Sequence, residues 1–265
     1  LIQQFFIYVN NVFHGNLGRS FNQYPRLVSD ILTQSLPWTI AIQLPSLIIG
    51  WIIGNLLGAV AAYRKGIFDR IIFPLSLFFS SIPVFVLALL MKYYLGVYAH
   101  WFPMQGAYDA ELMPSVTLTF YWSLFRHWQL PFLATCLVMI GGQAIGMRSM
   151  SLYELNADYV LYAKLLGIPE NKITKYVFKN AVLPQITGLA LSLGTMISGA
   201  LITEIVFSYP GIGTQLVNAI HNVDYTLISG CTLFISITAL IANFTIEIIY
   251  GLIDPRIRAI QMEEE

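Results

Sequence analysis

The sequence predicts an all-α fold, a polytopic bundle of membrane-spanning helices. Hydrophobic residues make up 57% of the 265 residues and charged residues only 11%, whereas soluble domains carry about a quarter charged residues. Five apolar segments approach the roughly 20 residues that a helix needs to cross a bilayer. The formal net charge is zero, so we expect no nucleic-acid partner. A lipid bilayer is the expected surroundings of such a chain.

The predicted spans alternate in direction across the membrane. They cover about 36–63, 71–99, 131–147, 186–207 and 227–253. Ten Lys and Arg residues flank them on one side and three on the other, and basic loops of membrane proteins stay in the cytoplasm. This bias places residues 148–184 and the C-terminus in the cytoplasm and Leu1 outside. We therefore expect a sixth span upstream of Leu1.

Residues 1–35 are expected to form an outer interfacial helix and loop. Apolar residues recur with helical spacing over residues 1–13, which is typical of a helix lying on a membrane surface. Gly15 and Gly18 then indicate a loop. Asp30 to Ser35 leads into the first span.

Two further outer segments are predicted between the spans. The loop 100–129 is rich in aromatic residues, which indicates either an interfacial belt or a surface that receives an external partner. The Pro210-Gly211 pair predicts a turn, followed by a short helix over residues 214–223.

The stretch 147–184 is rich in charged residues and lies between apolar segments. Ser151 and Glu154 have the spacing of a capping box, and Gly167 can end a helix because glycine adopts the left-handed conformation at low cost. Pro169 suits the first turn of the next helix. We predict two short helices, about 152–166 and 169–184, on which another molecule docks. The simpler alternative is an ordinary solvated loop.

The sequence offers no catalytic constellation, cofactor motif or metal-ligand spacing. No Gly-x4-Gly-Lys-Ser/Thr phosphate loop is present, so the chain lacks that means of holding a nucleotide. Four histidines are scattered without paired spacing. Cys136 and Cys231 lie in apolar runs and are expected to be packed thiols. Transport of a solute against its gradient would need energy from a partner protein or from an ion gradient.

Three ionisable residues, Lys92, Glu204 and Glu247, lie in or beside the apolar runs. Charges at such positions are costly and usually face protein or water. The two carboxylates could relay protons or ions, accept structural hydrogen bonds near the membrane ends, or line a solute pathway. Asn243 precedes Glu247 by one helical turn, which favours a polar stripe that faces away from lipid. Lys92 is predicted to extend towards the outer interface.

Five motifs are spread along the chain: Gly15-Asn-Leu-Gly-Arg-Ser20, Asp158-Tyr-Val-x-x-Ala163-Lys-x-x-Gly167, Lys179-Asn-Ala-x-Leu-Pro184, Glu204-x-Val-Phe-x-x-Pro-Gly-Ile-Gly213 and Asp254-Pro-Arg-Ile-Arg258. Together they resemble the motifs of the permeases of ABC importers, in the dipeptide/oligopeptide/nickel subgroup and its B-type partner. The outer motif has Asn16 where the subgroup usually has Asp, and Leu161-Tyr-Ala163 stands where the Glu-Ala-Ala triplet of other permeases would be.

The resemblance implies a division of the chain and a set of partners. Residues 36–258 would form the transmembrane domain with a cytoplasmic coupling loop at 148–184, and residues 259–265 a cytoplasmic tail. Partners would be a second permease subunit, two ATPase subunits on the cytoplasmic side, and an extracytoplasmic solute-binding protein. The chain itself would not be an enzyme. Peptides are the expected cargo, with oligosaccharides or nickel as alternatives.

The resemblance also implies which residues meet the ATPase subunits. The predicted coupling helix 152–166 would present Leu155, Tyr159, Tyr162 and Leu166 as its apolar face. The full implied coupling set is Leu155, Asp158, Tyr159, Tyr162, Ala163, Lys164 and Gly167. The rival class is an ion-coupled secondary transporter, but the sequence shows none of the internal repeats expected of one.

Overall fold

The fold is a bundle of long α-helices, seen in a computed structural model. The structure describes residues 2–64 and 66–253, without the side chains of residues 194, 195, 197–200, 246, 247 and 249–253. The motif at residues 254–258 and the predicted tail 259–265 lie outside this range. No strand occurs among the described residues. The helices are α1 Ile2–Phe13, α2 Val28–Arg64, α3 Ile67–Ser81, α4 Val84–Met91, a π-helix Lys92–Tyr98, α5 Leu118–Leu155, α6 Asp158–Leu165, α7 Glu170–Val206, α8 Ile212–His221 and α9 Tyr225–Ile253.

Among the described residues, three helices are long and apolar enough to cross a membrane. They are α2, α5 and the part of α9 at Tyr225–Thr245. The pair α3 and α4 with its π-helix passes the same test only as a broken unit. The predicted fourth span is the second half of α7. Each predicted span therefore coincides with a helix or a helix pair, but the lengths differ.

The second predicted span is not one helix, because it bends by 98° between Ser81 and Val84. Pro83 disfavours the helical conformation of the residue before it, and Ile82 is extended at φ −82° and ψ 126°. The predicted spanning segment 71–99 is therefore formed by two helices joined at a sharp bend, and not by one helix.

The third predicted span is much longer than the sequence indicated. Thr117 begins α5 by accepting a hydrogen bond from the Phe120 backbone N–H at 3.4 Å, as an N-cap residue does. The aromatic segment that was predicted as a loop up to residue 129 thus becomes helix from Leu118 onward. Most of its aromatic residues project from the first turns of α5 instead of from a loop.

A seam of small residues joins α2 to α5, the most extensive helix pair of the bundle. Ser46, Gly50, Gly54, Gly58 and Ala62 recur every four residues and are all buried. A side chain at Gly54 would come within 2.8 Å of the Ile140 carbonyl oxygen. Small residues at this spacing let two helix backbones approach closely, as in membrane proteins generally.

The N-terminal segment is fastened to the rest of the bundle by Asp224. Its buried carboxylate accepts hydrogen bonds from the Ser20 hydroxyl at 2.5 Å, the Asn22 N–H at 3.1 Å and the Leu227 N–H at 3.1 Å. This group connects the loop after α1 to the turn between α8 and α9. Helix α1 itself buries no residue, and its predicted place on the membrane surface stays a prediction.

The glycine motif after α1 forms a tight turn with a side-chain acceptor. The Asn16 side-chain oxygen accepts from the Gly18 N–H at 3.0 Å, and Gly15 and Gly18 have φ of 74° and 83°. An aspartate at position 16 would offer the same acceptor. The departure from the usual Asp therefore preserves the chemistry of the turn.

Candidate functional site

The first candidate site is the corner between α5 and α7, where the chain turns through α6. The predicted helix 152–166 is wrong, because α5 continues through Ser151 and ends at Leu155. Ser151 is completely buried inside α5. The break falls at Asn156 and Ala157, whose ψ of 148° is extended. The Glu154 carboxylate does not complete a capping box but accepts from the Tyr159 hydroxyl at 2.7 Å.

Gly167 ends α6 as the sequence predicted. Its φ is 70°, in the left-handed region that favours glycine. The Ile168 N–H donates to the Ala163 carbonyl at 3.0 Å and the Gly167 N–H to the Lys164 carbonyl at 3.0 Å, which is the bonding of a Schellman motif. The motif closes with an apolar contact between Ile168 and the cluster that contains Ala163. Pro169 then caps α7, which begins at Glu170.

One side of α6 anchors it to the bundle. Val160 and Ala163 are buried against Ile173 and Val177 of α7. Tyr159 is half-buried beside them and also touches Glu154. Burial, together with the hydrogen bond to the Glu154 carboxylate, raises the pKa of Tyr159 to about 12. The phenol therefore remains a hydrogen-bond donor at neutral pH, and it ties α6 to the end of α5.

The opposite side of α6 presents apolar side chains to the outside. Leu161, Tyr162, Leu165 and Leu166 are between 57% and 79% exposed, and we call them the corner patch. Asp158 and Lys164 are exposed beside it. An exposed apolar patch rimmed by charges is typical of a surface that binds another protein.

The predicted apolar face of the coupling helix is therefore divided between two surfaces. Leu155 and Tyr159 pack inward, whereas Tyr162 and Leu166 belong to the corner patch. Sequence spacing failed here because it grouped Tyr159 with Tyr162 and Leu166, whereas the side of α6 that is buried against α7 is formed by Val160 and Ala163, next to Tyr159. Leu161 and Leu165 were missed for the same reason.

The second predicted short helix does not end at Pro184. Helix α7 runs without interruption from Glu170 to Val206, so the charged segment and the fourth predicted span form one element. Pro184 lies within it. Neighbouring helices make a proline tolerable inside a membrane helix.

The second candidate site surrounds Glu204, near the far end of α7. The side chain is 0% exposed. Its Oε2 accepts from the Gly213 N–H at 2.8 Å and from the Thr214 N–H at 3.4 Å. Both amides belong to the first turn of α8, where a carboxylate also meets the favourable end of the helix dipole. Of the roles that the sequence left open, this geometry favours the structural acceptor.

Lys92 also contacts this end of α7, and its predicted place near the outer interface stays a prediction. Its ammonium group donates to the Val206 carbonyl at 2.6 Å, at the C-terminal end of α7. A cation is favourable there for the same dipole reason. Nearby, the Gly106 N–H donates to the Phe207 carbonyl at 2.8 Å. The Lys92 ammonium group at the end of α7 and the Glu204 carboxylate at the start of α8 thus fix the turn between the two helices.

The predicted polar stripe on α9 stays a prediction. Asn243 is exposed, and the Glu247 side chain lies outside the described side chains. Cys136 and Cys231 are buried free thiols, as the sequence predicted.

Comparisons with known proteins agree on one family. The family described as "Binding-protein-dependent transport system inner membrane component" matches residues 54–259. The di/tripeptide transport system permease of Pseudomonas aeruginosa is 31% identical over 97% of this chain and 81% of its own length. The dipeptide transport system permease of Bacillus subtilis is 31% identical over 97% and 80%. A putative peptide permease of Brucella ovis is 34% identical over 96% and 79%.

Solved structures show the same fold at low sequence identity. An amino acid ABC transporter crystallised with histidines matches with a TM-score of 0.64 and 10% identity, over 85% of this chain and 95% of that one. The methionine transporter MetNI in inward-facing conformations matches with a TM-score of 0.62 and 16% identity, over 84% and 96%.

Proposed function

The chain belongs to the family of binding-protein-dependent transport system inner membrane components, and from this premise we propose that it forms half of a peptide pathway across the cytoplasmic membrane. The observation that carries the proposal is the consistent description of its relatives as peptide permeases, at 31% to 34% identity over nearly the whole chain. A second permease subunit, different in sequence, would supply the other half. An extracytoplasmic binding protein would deliver the peptide.

In this proposal the energy comes from two ATPase subunits, one of which docks on the corner patch of this chain. The patch is apolar, exposed and held on a short helix whose other side is buried. Leu161, Tyr162 and Leu165 would enter a groove on the ATPase subunit. Asp158 and Lys164 would meet polar groups at its rim, while Ala163 and Gly167 keep the helix in position.

Orientation follows from the same proposal. The end of the bundle with α6 would lie in the cytoplasm, and the end with Asp224 and Glu204 would face the binding protein. Ten basic residues against three support this assignment.

Transport by the purified complex in proteoliposomes tests the proposed cargo and energy source. The vesicles would contain this permease with its partner permease and ATPase subunits, and would receive the binding protein and a radiolabelled dipeptide. We expect uptake that needs both ATP and the binding protein. Uptake on an ion gradient without ATP would instead indicate a secondary transporter. ATP-driven uptake of an oligosaccharide or nickel, but not of peptides, would disprove the peptide assignment.

The substitution Gly167→Val tests the coupling role of the corner. We expect it to abolish substrate-stimulated ATP hydrolysis and uptake while the subunits still assemble, because valine is strained at a φ of 70°. A side chain there meets no atom within 4 Å, so the effect would come from the backbone alone. The control is Gly142→Val in α5, which also has open space but an ordinary helical backbone. Normal substrate-stimulated hydrolysis in the Gly167 variant would refute the idea.

A further inference from the structure

The first turns of α7 carry three lysines on one side of the helix. Lys172, Lys175 and Lys179 are spaced by three and four residues, so they share a face. All three are exposed. None forms an ion pair within the part of the chain that the structure describes. Three like charges close together without acidic partners repel one another, and an anion placed between them would relieve that repulsion.

A groove runs along this lysine face and combines charge with apolar surface. It has a volume of about 550 Å³, and its lining consists of the three lysines with Tyr176, Phe178 and Val182. Phe178 also packs against the buried cluster of α2, α5 and α7, which holds the apolar floor in place. A ligand that fits such a groove has an anionic part and an apolar part.

The position of the groove along α7 indicates which amphiphile this is. Lys179 is the last charged residue of α7 before Glu204. On the same face follow Leu183 and Ile186, exposed by 52% and 37%. Over seven residues, or about 10 Å of helix, the surface changes from cationic to apolar. The boundary between phospholipid headgroups and acyl chains changes in the same way over a similar depth.

We propose that the lysine face of α7 is a binding site for the headgroup of an anionic phospholipid. The phosphate, with any further anionic group of the head, would lie among the three ammonium groups. One acyl chain would follow Val182 and Leu183. The Tyr176 hydroxyl lies at headgroup depth, where amphipathic aromatic residues are favoured. The site is separate from the corner patch on α6, and it requires neither the proposed cargo nor the proposed ATPase docking.

Native mass spectrometry of the detergent-purified transporter complex tests this site. The delipidated complex would be titrated with phosphatidylglycerol and, separately, with phosphatidylcholine of the same acyl chains. Each lysine near an anionic surface contributes about fivefold in affinity. We therefore expect K175Q/K179Q to bind phosphatidylglycerol at least about tenfold more weakly than the wild type, with little change for phosphatidylcholine.

Matched variants separate the site from general charge effects. R64Q/R70Q removes two exposed positive charges elsewhere at the same end of the bundle and should retain phosphatidylglycerol binding. K175R/K179R keeps the charges and should retain it as well. Since all these positions are on the surface, equal melting temperatures would confirm that the variants are folded.

Several outcomes would overturn the proposal. One is equal binding of the two lipids by the wild type, or an equal loss in the R64Q/R70Q variant. Another is full displacement of phosphatidylglycerol by soluble glycerol phosphate at similar concentration, which would show a bare phosphate site. A third is that K175Q/K179Q releases a partner subunit while lipid binding is unchanged, which would make this face a protein contact.

Discussion

Among single residues, Glu204 is a buried carboxylate whose surroundings must supply hydrogen-bond donors and space. Its carboxylate is buried and accepts from two backbone N–H groups of α8. The two glycines of the Pro-Gly-Ile-Gly turn leave room for it, since a side chain on Gly213 would come within 2.9 Å of its oxygen and one on Gly211 would collide with it. The spacing of glutamate and glycines therefore has a steric and electrostatic reason that is independent of any proton relay.

Replacing Glu204 by leucine should destabilise the fold. The Gly213 and Thr214 N–H groups would lose their acceptor inside the protein, and each unsatisfied buried group costs about 1–3 kcal/mol. Glu204→Gln keeps an acceptor oxygen and should cost clearly less. Thermal unfolding of the purified protein in detergent measures both variants. If Glu204→Gln melted like the wild type but had lost transport, a proton or ion relay would be the better explanation.

Asp224 lies at the end of the bundle opposite α6, and its carboxylate should make the stability of the fold depend on pH. Burial alone would raise the pKa of its carboxyl, but hydrogen bonds from the Ser20 hydroxyl and from nearby backbone N–H groups outweigh burial and hold the pKa below 3.8. A lowered folded-state pKa stabilises the fold above the unfolded value and loses that contribution as the pH falls through the folded value.

We therefore expect the melting temperature to fall as the pH is lowered from about 4 towards 3, with part of the fall due to Asp224. In Asp224→Asn this part should disappear and the protein should melt lower at neutral pH. Melting curves of both proteins across this range provide the measurement. Identical slopes for the two proteins would show that Asp224 does not titrate as described.

Among the helices, the pair α2 and α5 determines how closely the bundle packs. The small residues of α2 allow backbone contact with α5 along four turns, and the ion pair of Arg148 with Asp69 at 2.6 Å attaches α3 to the same helix. Gly141 of α5 adds a second close approach, because a side chain there would lie 2.7 Å from the Ser76 carbonyl oxygen. Helix α5 is thus the common neighbour of α2 and α3.

A methyl group in the seam should push these helices apart. At Gly58 it would collide with the backbone of Ala144, and overpacking of this kind costs about 1–3 kcal/mol. Gly58→Ala should therefore lower the melting temperature. Gly142→Ala adds the same methyl group to α5 in open space and should be neutral or slightly stabilising. Equal stability of the two variants would argue against backbone contact at Gly58.

The sequence could predict which segments are helical but not where each helix ends. Pro83 breaks a span, whereas Pro37, Pro45, Pro131 and Pro184 all lie inside helices. The outcome depends on whether neighbouring helices satisfy the freed carbonyl groups, and one sequence does not contain that information. Gly167 was predictable because its conformation is a local property. Ser151 was misleading because α5 continues through it and its side chain is fully buried.

The whole molecule leaves much apolar surface uncovered. Ile48, Ile52 and Leu56 of α2 are 41% to 52% exposed, and Leu240 and Phe244 of α9 exceed 60%. Such surface is stable against lipid or another apolar protein surface. We therefore expect lipid to cover this apolar surface. The proposed second permease would cover the part that lipid does not reach.

Cysteine labelling in whole cells would test the proposed orientation. The native thiols of Cys136 and Cys231 are buried, so the background should be low. Tyr24→Cys, at a position that is 75% exposed, should react with a membrane-impermeant maleimide from outside. Glu170→Cys, at the exposed start of α7, should react only in inverted vesicles. The reverse pattern would invert the orientation.

The unbroken course of α7 links the Gly167 turn to the Glu204 corner mechanically. Its 37 residues make a rod about 55 Å long. A tilt of about 10° at one end would move the other by about 10 Å, given that length. With an ATPase subunit docked as proposed, this helix would act as a lever. A force applied beside Gly167 would thus reach the opposite membrane face as rotation, without a relay of side chains between them.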